Sequence, residues 1–140
     1  MIASAAGLAS ATDGIRLSLH VFAAAIWVGG QFTLAGLVPA ARKAGGDLTK
    51  VLARAFNRLA WPAFGVLVAT GFWNLSAIPA ATQTHAWKVV LYVKLALVVV
   101  SGVGAFAHTK SKSTAGLAIW GALGALSSLA VLILGVFLAG

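Results

Sequence analysis

Ser18-Leu-His-Val-Phe-Ala-Ala-Ala-Ile-Trp-Val-Gly-Gly30 is the stretch that decides how this chain folds. Apart from Ser18 and His20 it is apolar, and the apolar character extends from Leu17 to Leu37. A run of about 20 such residues, wound as a helix, crosses the hydrocarbon core of a bilayer. His20 therefore stands where hydrocarbon is expected, and an imidazole there is costly unless it faces a partner, a cavity or a ligand. The same stretch sets the class of the protein and names the first residue to weigh for chemistry.

The rest of the chain agrees with that class. Of its 140 residues 61% are hydrophobic and 9% charged, and the mean hydropathy is +1.00, which marks an integral membrane protein. Four segments of spanning length are predicted, at residues 17–37, 59–78, 87–107 and 115–139. They leave no room for a separate soluble domain, so residues 1–140 are expected to form one transmembrane domain. Pro39 reads as a stop beyond the first span, Pro79 closes the second, and Pro62 is placed in the first turn of that span. Short connections make consecutive helices antiparallel neighbours. The expected fold is thus all-α, with four transmembrane helices in an up-and-down antiparallel bundle. The segment Met1 to Gly14 lacks the basic start of a signal peptide and is expected to be a loose or interfacial N-terminus.

A formal charge of +8 would suggest nucleic acid in a soluble protein, but these basic residues lie mostly between apolar segments, where lipid headgroups supply the counter-charge. No nucleic-acid partner is expected; the partner is the lipid bilayer. Arg42, Lys43, Lys50, Arg54, Arg58, Lys110 and Lys112 fall on one side, against Arg16 and Lys88 on the side of the N-terminus. Seven against two predicts that the first side is cytoplasmic and that both termini lie outside the cell's inner membrane. Small residues at helical spacing, such as Ala25 with Gly29 and Gly124 with Ser128, are read as packing faces. Trp61, Trp73 and Trp87 are read as interfacial anchors near helix ends, with Trp27 deeper and on the same face as His20.

Lys94 is the second polar residue inside a span, roughly 9 Å beyond Lys88 along the third helix. No span contains a carboxylate, because Asp13 and Asp47 are the only acidic side chains. Three outcomes are open to Lys94: snorkelling to the headgroups, loss of its proton through desolvation, or an anionic ligand. Trp87, Lys94, Ser101 and His108 recur every seven residues and so share one stripe, which is expected to face inward. His108 reads as an interface residue and His85 by default as a solvated loop histidine. Catalytic constellations are absent: there is no intramembrane carboxylate, no phosphate loop and no cysteine, so no enzymatic activity is assigned.

Metal chemistry remains. His20 and His85 lie towards the same side and are the pair that could hold a b-type haem, with Arg16, Lys88 or Lys94 available to its propionates. Cu(I) favours thiolate and thioether, and with no Cys and only Met1, a copper site would rest on imidazole, His20 first.

The pieces Leu19-His-Val-Phe-Ala-Ala-Ala-Ile-Trp-Val-Gly-Gly30, Leu37-Val-Pro-Ala40, Arg54-Ala-Phe-Asn-Arg58, Thr70-Gly-Phe-Trp73 and Val93-Lys-Leu-Ala-Leu-Val98 occur in an order that resembles the CopD-type copper-resistance membrane domain and its HemJ-type haem-pathway relatives. The resemblance covers residues 16–113. It implies a multi-helix inner-membrane protein, with copper uptake, export or resistance on the CopD side and bound haem b on the HemJ side. By position, His20 matches the first-helix histidine and Lys94 the third-helix lysine of those patterns. Three readings follow: copper handling with His20 as ligand; a b-type haem protein using His20; or a homo-oligomer or accessory subunit of a larger membrane complex, in which Lys94 pairs with a neighbouring chain.

Overall fold

The computed structural model describes residues 7–140 and is all-α among them. Helix α1 spans Ala11–Ala24 and passes through a single π-helical turn, Ala25–Gly29, into α2, Gly30–Ala44. Helix α3 is Leu48–Ser76, α4 is His85–Lys110 and α5 is Thr114–Ala139, with a short 3-10 turn at Ala80–Thr82 before α4. The rod Ala11–Ala44 and helices α3, α4 and α5 are each long and apolar enough to cross a membrane. The protein is therefore a multi-pass membrane protein with four spanning helices.

The helices begin and end where local chemistry supports them. Ser10, Thr84 and Ser113 cap α1, α4 and α5, their hydroxyl oxygens accepting from the backbone N–H of Asp13, Trp87 and Gly116. The turn between α2 and α3 needs Gly45 and Gly46, whose φ values of 79° and 61° are costly for any residue with a Cβ. Three sequence expectations are corrected here. Of the segment Met1 to Gly14, residues 1–6 lie outside the described residues, and the chain is helical from Ala11 onward, because Ser10 and Asp13 furnish the cap and the acidic first turn. Pro39 lies inside α2, and Pro62 lies in the interior of α3 rather than in its first turn. A proline removes one backbone donor, and in a long apolar helix the neighbouring bonds carry the chain through it.

Two compact units result, Ala9–Ala77 and Ile78–Gly140. The first is a hairpin of the α1–α2 rod against α3, and the second a hairpin of α4 against α5. In both, much of the interior is small or polar and many large apolar side chains point out, Trp27 and Val28 of the first hairpin being buried exceptions. Ala23, Ala60, Ala63, Thr70, Ser101 and Ser128 are buried, whereas Phe22, Tyr92 and Phe137 are more than two-thirds exposed. That inversion of the soluble pattern is what lipid as solvent favours: small residues let backbones approach, and tails of Phe and Leu lose nothing by facing hydrocarbon.

Within the second hairpin the close approach is at Gly104 and Gly124. A Cβ on Gly104 would stand 2.8 Å from the Gly124 nitrogen, and one on Gly124 would stand 3.1 Å from the Ala105 nitrogen. The seven-residue stripe of α4 faces α5. The Trp87 indole N–H donates to the Leu138 carbonyl at 3.3 Å, Lys94 lies against Gly135, Ser101 is 1% exposed, and His108 Nδ1 donates to the Leu117 carbonyl at 2.8 Å.

Candidate functional site

The first hairpin carries two polar rungs. Arg16 and His20 lie four residues apart on α1, and Thr70 and Asn74 lie four apart on α3, so one step along α1 meets one step back along the antiparallel α3. Arg16 donates to Asn74 Oδ1 at 2.6 Å and to Asp13 Oδ1 at 2.7 Å, while the Ser10 hydroxyl donates to the other Asp13 oxygen at 2.8 Å. The guanidinium is buried, with the residue 8% exposed, and its Nε lies buried without an acceptor among the described residues.

One helical turn deeper, His20 Nδ1 meets Thr70 Oγ1 at 2.7 Å. Thr70 has a single hydroxyl proton, and its oxygen sits 2.7 Å from the Val66 carbonyl, with Leu67 at 3.3 Å. A carbonyl can only accept, so the Thr70 proton goes back along its own helix and Thr70 is the acceptor from His20. Nδ1 of His20 therefore carries its proton, and in the neutral ring Nε2 is the acceptor atom. This is the tautomer that metal-ligating imidazoles adopt when an oxygen holds the other nitrogen.

Below this rung lies an aromatic plug. Trp27, 3% exposed, packs on Phe64 at 4.4 Å and edge-on to Trp61 at 5.4 Å between ring centroids. Trp61, half-buried, thus also packs across the hairpin on the ring of Trp27. Trp27 sits in the π turn, and the Gln31 side-chain amide donates to its carbonyl at 2.9 Å. Such turns widen a helix locally and recur at functional sites. The ring of Phe56 rests against Gly30, where a Cβ would collide with it. His20 is thus held between a buried charged rung and a wall of aromatic rings.

Lys94 and His85 belong to the second hairpin. The Lys94 ammonium would stand 3.1 Å from a Cβ on Gly135, so it reaches a position short of Leu138, whose carbonyl holds the Trp87 indole. It enters neither of the ion pairs found among the described residues, Arg16–Asp13 and Lys50–Asp47. His85 is the exposed first residue of α4, roughly 14 Å along the helix from Lys94 at 1.5 Å per residue, so these two do not share a site. His108 closes the turn end of the second hairpin, as an interface residue should. Among the described residues no three His, Cys, Asp or Glu side chains come together.

Sequence reasoning missed Thr70 and Asn74 as partners, and Arg16 as a buried clamp. The signal was present as matching four-residue spacings on two helices expected to run antiparallel. Compared with known proteins, the chain matches no family model, no curated protein and no solved structure.

Proposed function

We propose that this protein handles copper in the cell's inner membrane, with both termini on the outer side and His20 Nε2 as the ligand to the passing ion. The observation that carries the reading is the Thr70–His20 hydrogen bond, which orients the imidazole and leaves its lone pair on Nε2. A single oriented imidazole suits a transit site, since an ion that must leave again is better served by few ligands than by a closed cage. The donor set fits Cu(I) only through nitrogen, the chain being without cysteine. The order of motifs resembling the CopD-type domain supports copper as the cargo.

A second reading, a b-type haem held by His20, is favoured by one observation: His20 is oriented by Thr70 one helical turn from the buried Arg16 guanidinium, a cation suited to a propionate. Haem would supply one-electron chemistry. Arg16, one turn away, is held by Asn74 and Asp13 through two of its five N–H donors and keeps others for a propionate.

Metal content and a visible spectrum measured on the same purified protein separate the two. Copper without a Soret band, lost in His20→Ala, is the expected result. Thr70→Val should weaken copper binding roughly 10- to 100-fold, with Thr70→Ser near wild type, because a hydroxyl acceptor is what holds the ring. A Soret band that vanishes in His20→Ala assigns the site to haem, and a protein that takes up neither copper nor haem overturns both.

A further inference from the structure

At the turn end of the first hairpin, far from the His20 rung, α3 carries a groove that the metal reading does not use. Helix α3 is 29 residues long, about 44 Å at 1.5 Å per residue, against a hydrocarbon core of about 30 Å. About 14 Å of helix therefore stands outside the hydrocarbon. The apolar run begins at Leu59, so the projecting part is the N-terminal one.

That part bears Lys50, Arg54 and Arg58 at four-residue intervals, a single basic stripe. Val51, Arg54, Ala55 and Arg58 line a shallow groove of about 220 Å³, smaller than the roughly 300–1,000 Å³ of enclosed small-molecule pockets. Both arginines are exposed, and neither makes an ion pair or a hydrogen bond among the described residues. The one nearby carboxylate, Asp47, is 3.6 Å from Lys50 instead. Arg42 and Lys43 at the end of α2 add positive charge on the other arm of the same hairpin.

We infer that the Arg54–Arg58 groove is a binding site for the phosphate of an anionic phospholipid headgroup. Guanidinium groups one helical turn apart can bracket a single phosphate with paired N–H donors, and exposed Leu59, on the hydrocarbon side of Arg58, offers the acyl chains an apolar edge. The groove lies where the helix leaves the hydrocarbon, at headgroup depth. Its charge is complementary to the lipid and is not cancelled by the protein. The inference stands independently of what His20 binds.

The test uses the full chain in nanodiscs of mixed phosphatidylglycerol and phosphatidylcholine, with lipid retention read by native mass spectrometry after release. Wild type should retain phosphatidylglycerol preferentially. Arg54→Gln with Arg58→Gln should reduce that retention roughly 25-fold, two basic residues each contributing about a factor of five at a membrane surface. Lys110→Gln with Lys112→Gln removes the same charge elsewhere and should leave retention near wild type. Arg54→Lys with Arg58→Lys, which keeps the charge and the helix, should fall between. An equal loss in both glutamine pairs, or no preference for phosphatidylglycerol in wild type, overturns the site. Displacement of the lipid by millimolar inorganic phosphate also overturns it, by assigning the groove to soluble phosphate.

Discussion

Arg16 is the most expensive side chain that the first hairpin buries, and its two partners do not contribute alike. Asp13 is exposed, so its ion pair is screened by water and adds little. Asn74 accepts from the buried end of the guanidinium at 2.6 Å, and a hydrogen bond to a charged group is worth about 1.5–3 kcal/mol when its loss leaves the charge stranded. Asn74→Leu is therefore expected to destabilise the protein by about 2 kcal/mol in a denaturant titration in micelles, and Asp13→Asn to have a much smaller effect. Comparable losses from the two substitutions would show that the screened pair, and not the buried amide, holds Arg16. At this scale the sequence was half legible. His20 stood out because one imidazole in an apolar run is conspicuous, whereas Thr70 and Asn74 are ordinary helix residues until the register of α1 against α3 is known.

Between elements, close backbone approach decides stability. The Gly104–Gly124 contact has no space for a methyl, and the atom in the way is backbone, which cannot move aside as a side-chain tip could. Gly104→Ala should cost about 1–3 kcal/mol through overpacking. Gly29 has helical angles and open space where its Cβ would be, so Gly29→Ala should be neutral or stabilise by up to about 1 kcal/mol through helix propensity. Thermal unfolding of both variants checks the pair, and a destabilising Gly29→Ala would reveal a packing partner for that face. The α4 stripe of Trp87, Lys94, Ser101 and His108 was readable because a seven-residue period holds one side of a helix towards a neighbour. Pro39, Pro62 and the π turn were not. Proline is a stop signal only where water can take over the released carbonyl, and nothing in Ala-Ile-Trp-Val-Gly marks an extra residue per turn.

For the molecule as a whole, the four spans follow from hydropathy and length, but orientation follows from charge alone. The turn of the first hairpin is flanked by Arg42, Lys43, Lys50, Arg54 and Arg58, and that of the second by Lys110 and Lys112. Arg16 and Lys88 are the basic residues towards the opposite ends, and Arg16 is already paired with Asp13. A bias of that size favours keeping both turns in the cytoplasm during insertion, and the Arg54–Arg58 groove would then meet the anionic inner leaflet. Because the chain has no cysteine, single-cysteine variants report the arrangement without background. Leu8→Cys and Gln83→Cys should react with a membrane-impermeant maleimide added to intact cells or spheroplasts. Thr49→Cys and Lys112→Cys should react only after permeabilisation. The opposite pattern would turn the protein over and carry the arginine groove to the outer face. Labelling of all four positions in intact cells would mean that two orientations coexist, and the basic turns would then be failing as the topological signal.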